Sequence, residues 1–600
     1  GEESFIAKLT KQAKAVGSGE QSEMVHSINR IVKWAGIAVI PIGAVLFCQS
    51  YFLNQETVRR SVVSAVAAGL GMIPEGLYML TTIALVLSTI RLARKKVLLH
   101  DMHSIEALAR VDVLCVDKTG TITEPEMRVS RVQPLDEGSA ETFHTRLCDY
   151  AAASIDNNAT MLALKQYAQQ ELQRRPHTAE RAVAMQPFSS KEKYGSVTFA
   201  DGRYLLGAPE FVLREAYPAV AETLTPYSEA GGRVLLLARE TENGAPEALG
   251  FVVLENPIRE NAKQTFAYFK EQGVTVKVIS GDNPVAVSRI AADAGIENAE
   301  RWLDASAVHS DEQLVQAAES YTVFGRVTPQ QKQLLVRALQ DAGHTVAMTG
   351  DGVNDILAMK DADCSVAMAS GSEAAAQSAQ VVLLESDFAR MPEVVLEGRR
   401  VVNNIQRSAS LFLVKNIFSL MMALFSVIFM LTYPLEPSQI SLISAFTIGI
   451  PGFLLALEPN KERIQGNFLR NVLLKALPAG LTDVLAVGAL VVCGEVFSLP
   501  QEDIATAATM LLAVVGFMIL VQISRPLSAM KYAILIGDAL GLILCGIFLN
   551  QLFALNAMSE ICVLLLIVFA FASESLFRNL SLLVRSIQSW LEKKREKRRS

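Results

Sequence analysis

Asp117 opens the run Asp117-Lys118-Thr119-Gly120-Thr121-Ile122-Thr123, and a carboxylate so placed is a candidate nucleophile. The residues before it, Val111-Asp112-Val113-Leu114-Cys115-Val116, are apolar enough for a buried strand. The glycine and threonines after it break that pattern into a tight loop. Asp117 is therefore expected at the carboxyl end of a strand, where open α/β sheets collect ligands and chemistry. A carboxylate there can attack the γ-phosphate of ATP and hold the phosphoryl group as an aspartyl phosphate. An ordinary loop aspartate is the competing reading, so the other parts of a phosphoryl-transfer site must be found elsewhere in the chain.

Three further motifs supply them. Ser280-Gly281-Asp282-Asn283 follows the strand-like Val274–Ile279, and its hydroxyl and backbone N–H groups can hold a phosphate. Arg326-Val327-Thr328-Pro329-Gln330-Gln331-Lys332 brings a cation. Thr349-Gly350-Asp351-Gly352-Val353-Asn354-Asp355 follows Thr345–Met348 and clusters two carboxylates and an amide. Positioning and charge neutralisation are most of what phosphoryl transfer requires.

With these motifs in this order, the chain resembles the P-type ATPases, cation pumps built on a haloacid-dehalogenase core, along its whole length. The resemblance implies phosphorylation at Asp117, with Lys118 and Thr119 completing the signature. The family usually has threonine at position 280; Ser280 keeps the hydroxyl. Lys332 matches the lysine that neutralises the phosphoryl group. Asp351 and Asp117, helped by the backbone carbonyl of Thr119, are expected to bind Mg²⁺ through oxygen. Asn354 and Asp355 are expected to orient the loop and the phosphate.

Between about 128 and 250 the pattern changes to an insert with its own strands, such as Tyr194–Phe199 and Val234–Ala238. It resembles the family's ATP-binding domain. Phe188 matches the ring that stacks on adenine, Lys193 the lysine near the phosphates, and Arg233 an arginine that contacts ATP. A core position between strands is the other reading of Phe188. Gly207-Ala208-Pro209-Glu210 matches the end of the family's Lys-Gly-Ala-Pro-Glu motif, but Leu206 stands where the lysine belongs and Met161 where an acid follows Thr160. ATP affinity is expected to be weaker than in animal members.

The elements that must position this chemistry include membrane helices. Hydrophobic residues make up 51% of the 600 and charged ones 19%, which excludes a purely soluble enzyme. Eight apolar runs are long enough to cross a bilayer: about 31–53, 61–90, 409–432, 438–457, 473–498, 504–523, 530–553 and 558–577. Arg91, Arg94, Lys95 and Lys96 at the end of the second place that end in the cytoplasm, as do Lys461, Arg463, Arg470, Arg525 and Lys531 in later loops. Glu502 and Asp503 mark an outer loop, and Arg59 and Arg60 are a small exception. The net charge of −6 suggests no nucleic-acid partner. Seven cysteines lie scattered without a Cys-x-x-Cys pair, against a zinc site or a disulfide framework.

The expected fold is a multi-domain membrane protein: an α-helical transmembrane bundle of about eight helices, and a cytoplasmic α/β haloacid-dehalogenase-like phosphorylation domain with an inserted α+β nucleotide-binding domain. The expected boundaries are a stalk at 1–30 and two membrane helices at 31–96. The phosphorylation domain follows at 97–127 and resumes at 251–404 around an insert at 128–250. Six membrane helices at 405–580 and a basic tail at 581–600 complete the chain.

Gly71-Met72-Ile73-Pro74-Glu75-Gly76-Leu77 interrupts the second span. Proline removes a helical hydrogen bond, so carbonyls at Leu70, Gly71 and Ile73 are expected to face a cation. An acid near the middle of a span is costly unless it serves a ligand or pathway. In the calcium pumps that this stretch resembles, the glutamate matching Glu75 is an ion ligand and gate. Asn416 matches an ion-binding asparagine, while Ser419 takes a glutamate position. Lys415 matches the lysine of the gastric proton/potassium pump and is expected to act as a built-in counter-charge, or else to snorkel. Ser444 and Thr447 offer oxygens, but Ile448 stands where an aspartate is usual. One ion per cycle is expected. Asp483, Asp538, Gln522 and Glu574 are not expected to be ligands.

The resemblance implies a monomeric pump in a bacterial plasma membrane that uses ATP and Mg²⁺ to export a cation, Ca²⁺ first among candidates and Mg²⁺, Mn²⁺, K⁺ or H⁺ next. A lipid flippase, a membrane-anchored phosphatase and an inactive regulatory protein are the readings from other classes. No Thr-Gly-Glu loop occurs, and Gly1-Glu2-Glu3-Ser4-Phe5 resembles the stretch leaving the family's actuator domain. The chain is therefore expected to be the C-terminal two-thirds of a longer pump, lacking that domain and the first two membrane helices. On its own it is expected to phosphorylate but to dephosphorylate and transport poorly; robust turnover by these 600 residues alone would contradict this.

Overall fold

The structure, a computed structural model, describes residues 23–599 except 103, 137, 139, 176–179, 190, 191, 242, 461 and 465. The actuator-like stretch at residues 1–5 lies outside the described residues. The described residues divide into two compact units, one containing Leu92–Val394 and the other containing residues 23–91 and 395–599.

The first unit holds two sheets. Its eight-stranded sheet contains β1 (Val97–Leu99), β2 (Val113–Val116), β9 (Thr275–Ile279), β10 (Trp302–Asp304), β11 (Val323–Gly325), β12 (Val346–Gly350), β13 (Cys364–Met368) and β14 (Val381–Leu383). The spatial order is β1-β14-β13-β12-β2-β9-β11-β10. Every pairing is parallel except β1 with β14. Helices cover both faces, and β2, β12 and β13 are buried at every position, which is why they read as unbroken apolar runs. Val116 pairs with Thr349 on one side and Val278 on the other. That register brings the carboxyl ends of β12, β2 and β9 level. The loop expected to begin at Thr349 begins one residue after the strand's end at Gly350, because Thr349 still pairs with Val116 and its carbonyl accepts the Asp117 N–H (3.2 Å).

The insert is a six-stranded antiparallel sheet of β3 (Arg128–Pro134), β4 (Ala184–Gln186), β5 (Tyr194–Phe199), β6 (Gly202–Gly207), β7 (Arg233–Glu240) and β8 (Pro246–Glu255), in the order β3-β8-β7-β6-β5-β4. Its cores are built on Phe143, Tyr204, Leu237 and Phe251, all buried. β8 runs to Glu255, past the expected edge at 250, because its last residues pair with Arg128 and Val129 at the start of β3.

The second unit is helical. Among the described residues eight helical segments are long and apolar enough to cross a membrane: Glu23–Leu53, Val58–Arg94, Phe388–Phe429, Pro437–Ala456, Phe468–Val496, Gln501–Ser524, Ala529–Phe548 and Glu560–Trp590. The number of spans is as expected. The first, third and eighth extend well beyond their apolar runs, since polar ends can continue a helix into water; Glu560 begins a single helix that runs to Arg599. Trp34, Ile40, Phe548 and Phe571 are exposed on these helices, as suits surfaces that face acyl chains. The first span ends in a π-turn, Gln49–Leu53, and the second and fourth are irregular within their length. The second breaks at Ile73 (φ −91°, ψ 127°) and resumes at Glu75. In the fourth, the Ile450 N–H reaches back five residues to the Ala445 carbonyl, a widened π-turn.

Candidate active site

Three adjacent strand ends and one helix build the site. Asp117 leaves β2, and its Oδ1 accepts the Lys118 N–H at 2.8 Å. Asp351 leaves β12 and Ser280 leaves β9. Carboxylate oxygens of Asp117, Asp351 and Asp355 lie within 4.8 Å of one another. Gly120 turns at φ 72°, and any Cβ there would run into the Asp351 side chain. Glycine is needed for both the backbone and the space.

Lys332 comes from the helix that follows β11. Its helix, Pro329–Asp341, starts with a reciprocal cap in which the Thr328 hydroxyl accepts the Gln331 N–H (3.3 Å) and Gln331 Oε1 accepts the Thr328 N–H (3.0 Å). That cap fixes the first turn and aims Lys332 inward, 2% exposed. Its Nζ donates to Asp355 Oδ1 at 2.6 Å and lies 3.4 Å from Asp117 Oδ2. Asp355 Oδ2 also accepts the Gly352 N–H (3.2 Å). Lys118 forms an ion pair with Asp282, a pairing the sequence did not suggest. Ser280 is buried, and its Oγ accepts the Asp282 N–H (3.3 Å). Thr119, half-buried, is extended (φ −74°, ψ 138°); Gly281 and Asn354 are exposed at the rim.

Burial pushes the Asp117 carboxyl up to about 6, against the pull of Lys332 and with a push from Asp355. Asp351 also rises to about 6, through burial first and then the charges of Asp117 and Asp355. Burial works against the Lys332 ammonium, but Asp117 and Asp355 outweigh it and hold its pKa above the ordinary lysine value. Three converging carboxylates face one buried ammonium, leaving negative charge in excess. A hard divalent cation with oxygen preference matches that donor set, so the residues fit Mg²⁺.

Two further features of this cluster escaped sequence reading. Arg259, just beyond β8, donates through Nη2 to the Gly120 carbonyl (2.7 Å) and so braces the loop after Asp117. Its only signal is a basic residue in the segment returning from the insert to the large sheet. The hydroxyls of Thr121 and Thr349 are buried with no hydrogen-bond partner among the described residues, leaving polar atoms beside the carboxylates.

In the insert, Phe188 is 44% exposed, which removes the core reading, and its N–H donates to Asp156 Oδ2 (3.0 Å). Lys165 Nζ donates to the Asp156 carbonyl (2.9 Å). This brings a second lysine, unforeseen, to the Phe188 neighbourhood. Lys193 turns at positive φ (63°), and Gly207 packs so tightly on Tyr194 and Lys193 that a Cβ would overlap both. Arg233 Nη1 donates to Thr160 Oγ1 (2.8 Å). Leu206 and Met161 are core residues, which accounts for the absence of charge at both positions.

In the second span Pro74 has no N–H for the Leu70 carbonyl, and the Glu75 N–H donates to Ile73 instead of Gly71 (3.0 Å). With its amide nitrogen turned inward, Asn416 donates to the freed Gly71 carbonyl (3.1 Å) and to Phe412 (3.2 Å). Ile73 and Gly71 carbonyls are thus engaged rather than bare. Glu75 is exposed, while Ser444 is half-buried with its Oγ unpartnered among the described residues. Lys415 and Thr447 line a small cavity that Glu75 does not border, although Glu75 lies within electrostatic reach of Lys415.

Comparison with known proteins adds the following. Residues 111–363 match the family model described as haloacid dehalogenase-like hydrolase. The chain is 38% identical to the probable cation-transporting ATPase exp7 of Streptococcus pneumoniae, across 93% of this chain and 73% of that protein. It is 39% identical to the calcium-transporting ATPase CtpE of Mycobacterium tuberculosis, across 90% and 70%. A magnesium-transporting P-type ATPase of Salmonella typhimurium is 29% identical across 72% of this chain and 48% of its own length.

Proposed function

This chain belongs to the P-type cation-transporting ATPases, multi-pass membrane proteins that couple ATP to cation transport, and from that premise we propose that it is phosphorylated on Asp117 and carries Ca²⁺. The single observation behind the phosphorylation reading is the cluster of Asp117, Asp351 and Asp355 around buried Lys332 at adjoining strand ends.

Adenine stacks on Phe188, with Lys193 and Arg233 directed to the phosphates and Gly207 keeping the pocket open. Asp117 attacks the γ-phosphorus; the bond to the bridging oxygen breaks and ADP leaves with its electron pair. Lys332, the Ser280 hydroxyl and the N–H groups beside Gly281 and Asp282 take up charge on the phosphoryl oxygens. Asp117, Asp351 and the Thr119 carbonyl would hold Mg²⁺, which when bound would supply further neutralisation of charge at the site. Asn354 and Asp355 keep the loop and Lys332 in register.

The choice of Ca²⁺ rests on the name of the Mycobacterium tuberculosis relative and on oxygen donors near the break in the second span. Glu75, the Leu70 carbonyl, Asn416, Ser444 and Thr447 form the proposed ion path, which the Gly71 and Ile73 carbonyls join on leaving Asn416 and the Glu75 N–H, with Lys415 limiting it to one ion per cycle. The second reading is a pump for another cation, favoured by Ile448, by Lys415 and by the magnesium-transporting relative. The test is phosphoenzyme formation from labelled ATP, with Ca²⁺ or with a chelator. Label that requires Ca²⁺ and disappears in Asp117→Asn is expected; label that ignores Ca²⁺ rejects the ion, and label retained in Asp117→Asn rejects the nucleophile.

A further inference from the structure

The membrane unit encloses a cavity of about 40 Å³ bordered by the third, fourth, fifth and sixth spans. Lys415, Ser419, Thr447, Ile448, Asp483 and Gly516 are among its walls. Such a space holds a water or a small ion and excludes an organic ligand. Asp483 is the carboxylate among them. It is 3% exposed, and its Oδ1 has no hydrogen-bond partner among the described residues.

The surroundings leave Asp483 no escape. It lies fifteen residues into Phe468–Val496, roughly 22 Å along a helix at about 1.5 Å per residue, too deep to reach water at that end. Gly480, one turn before it, approaches the third span so closely that a Cβ would strike Ile417. Lys415 borders the same cavity but makes no ion pair with Asp483 among the described residues. A lone carboxylate inside a bilayer is costly and marks an ion or proton pathway.

A second observation points into the same space. The π-turn of the fourth span carries Thr447 and Ile448 in the cavity wall, and such turns are frequent at functional sites. The Thr447 hydroxyl gives its proton to the Ile443 carbonyl (2.7 Å), which leaves oxygen lone pairs for a cation. Gly516 on the sixth span lets that turn come close; a Cβ there would meet Thr447.

We propose that Asp483 is a ligand of the transported cation, supplying from the fifth span the carboxylate that the fourth span lacks at Ile448. Its free Oδ1 and the Thr447 oxygen are hard donors suited to a hard, oxygen-seeking cation. Lys415 on the same cavity caps the charge the site tolerates. The proposal rests on the chain being a cation pump and not on the cation being Ca²⁺.

The test is the full chain in membranes, phosphorylated from labelled ATP over rising Ca²⁺, Mn²⁺ or K⁺. Asp483→Asn is expected to raise the half-saturating concentration of the activating cation at least tenfold, and Thr447→Val several-fold. Asp538→Asn, a buried carboxylate outside this cavity, is expected to leave it unchanged. Labelling from inorganic phosphate in chelator reports whether each variant is folded. Half-saturation in Asp483→Asn within twofold of wild type overturns the proposal, as does an equal shift in Asp538→Asn. Should Asp483→Asn not fold, an unshifted Thr447→Val overturns it instead. A wild type activated by Mn²⁺ or K⁺ but not Ca²⁺ rejects the calcium reading alone, and the variants are then judged with that cation; a wild type activated by none rejects both.

Discussion

Replacing Lys332 with methionine removes the buried ammonium while keeping much of its volume. Lys332 Nζ lies 3.4 Å from Asp117 and 2.6 Å from Asp355. At an effective dielectric of about 20, each attraction is worth about 5 to 6 kcal/mol before desolvation. Breaking a buried pair by removing one partner typically costs about 3–5 kcal/mol. If only about 3 kcal/mol of that falls on the transition state, phosphorylation slows roughly 100-fold. The same change lifts the Asp117 carboxyl further above about 6, since the group that lowered it is gone, so less of it is ionised at pH 7. Labelling by ATP should therefore be partly rescued between pH 7 and 8.5 in Lys332→Met and scarcely altered by pH in wild type. Binding of a fluorescent nucleotide by the insert separates lost chemistry from lost folding. A Lys332→Met rate within about fivefold of wild type at pH 7, with nucleotide binding intact, would refute the role given to this lysine.

Three further outcomes are expected. Gly120→Ala should cost about 1–3 kcal/mol of stability through its positive φ and displace Asp351, seen as a lower melting midpoint and at least tenfold weaker labelling; wild-type labelling would contradict the packing. Phe188→Ala should weaken ATP binding roughly 5- to 100-fold, the range of about 1–3 kcal/mol for stacking on a base, measured by titration calorimetry; an unchanged affinity removes the ring from the nucleotide site. The Asp117 and Asp351 carboxyls rise from 3.8 to about 6, so the folded state holds protons more tightly than the unfolded one. Their contribution to stability is fully present below about pH 4 and is lost as pH rises through about 6, on the order of 3 kcal/mol for Asp117 alone. Mg²⁺ should offset that loss, so its effect on the melting midpoint should grow from pH 5 to pH 7.5; an effect equal at both pH values, or undiminished in Asp351→Asn, would contradict it.

Sequence reading went furthest where chemistry and local pattern coincide. Asp117, Ser280 and Asp351 each follow an apolar run, and a buried parallel strand needs little more than that to be recognised. The eight spans were legible for the same reason. What stayed hidden depends on contacts between distant segments. That β12, β2 and β9 are neighbours is a matter of strand order, which no local window contains. Arg259 reaches Gly120 across 139 positions, and Lys118 finds Asp282 in the same way. Asp483 looked like an isolated acid because the walls that make it one side of a cavity come from three other spans. Helix ends lie beyond the apolar runs where polar helix continues past them, as before residue 31 and after Phe577.

The insert leaves and rejoins the large-sheet domain at almost the same point. Thr123 bridges Ile258, the Glu124 N–H donates to Pro257 (2.8 Å), and the Asn256 amide reaches the carbonyls of Glu124, Pro125 and Glu126 at 3.1–3.3 Å. A segment of more than a hundred residues whose ends are pinned together adds to its host only a short closed loop, and closure entropy grows slowly with what lies inside. With two hydrophobic cores of its own, it forms a module whose folding and mutational tolerance are largely uncoupled from those of its host. Core positions such as Leu206 and Met161 can thus be changed with little effect on the carboxylates of the large-sheet domain. The narrow neck is a boundary of folding as much as of architecture.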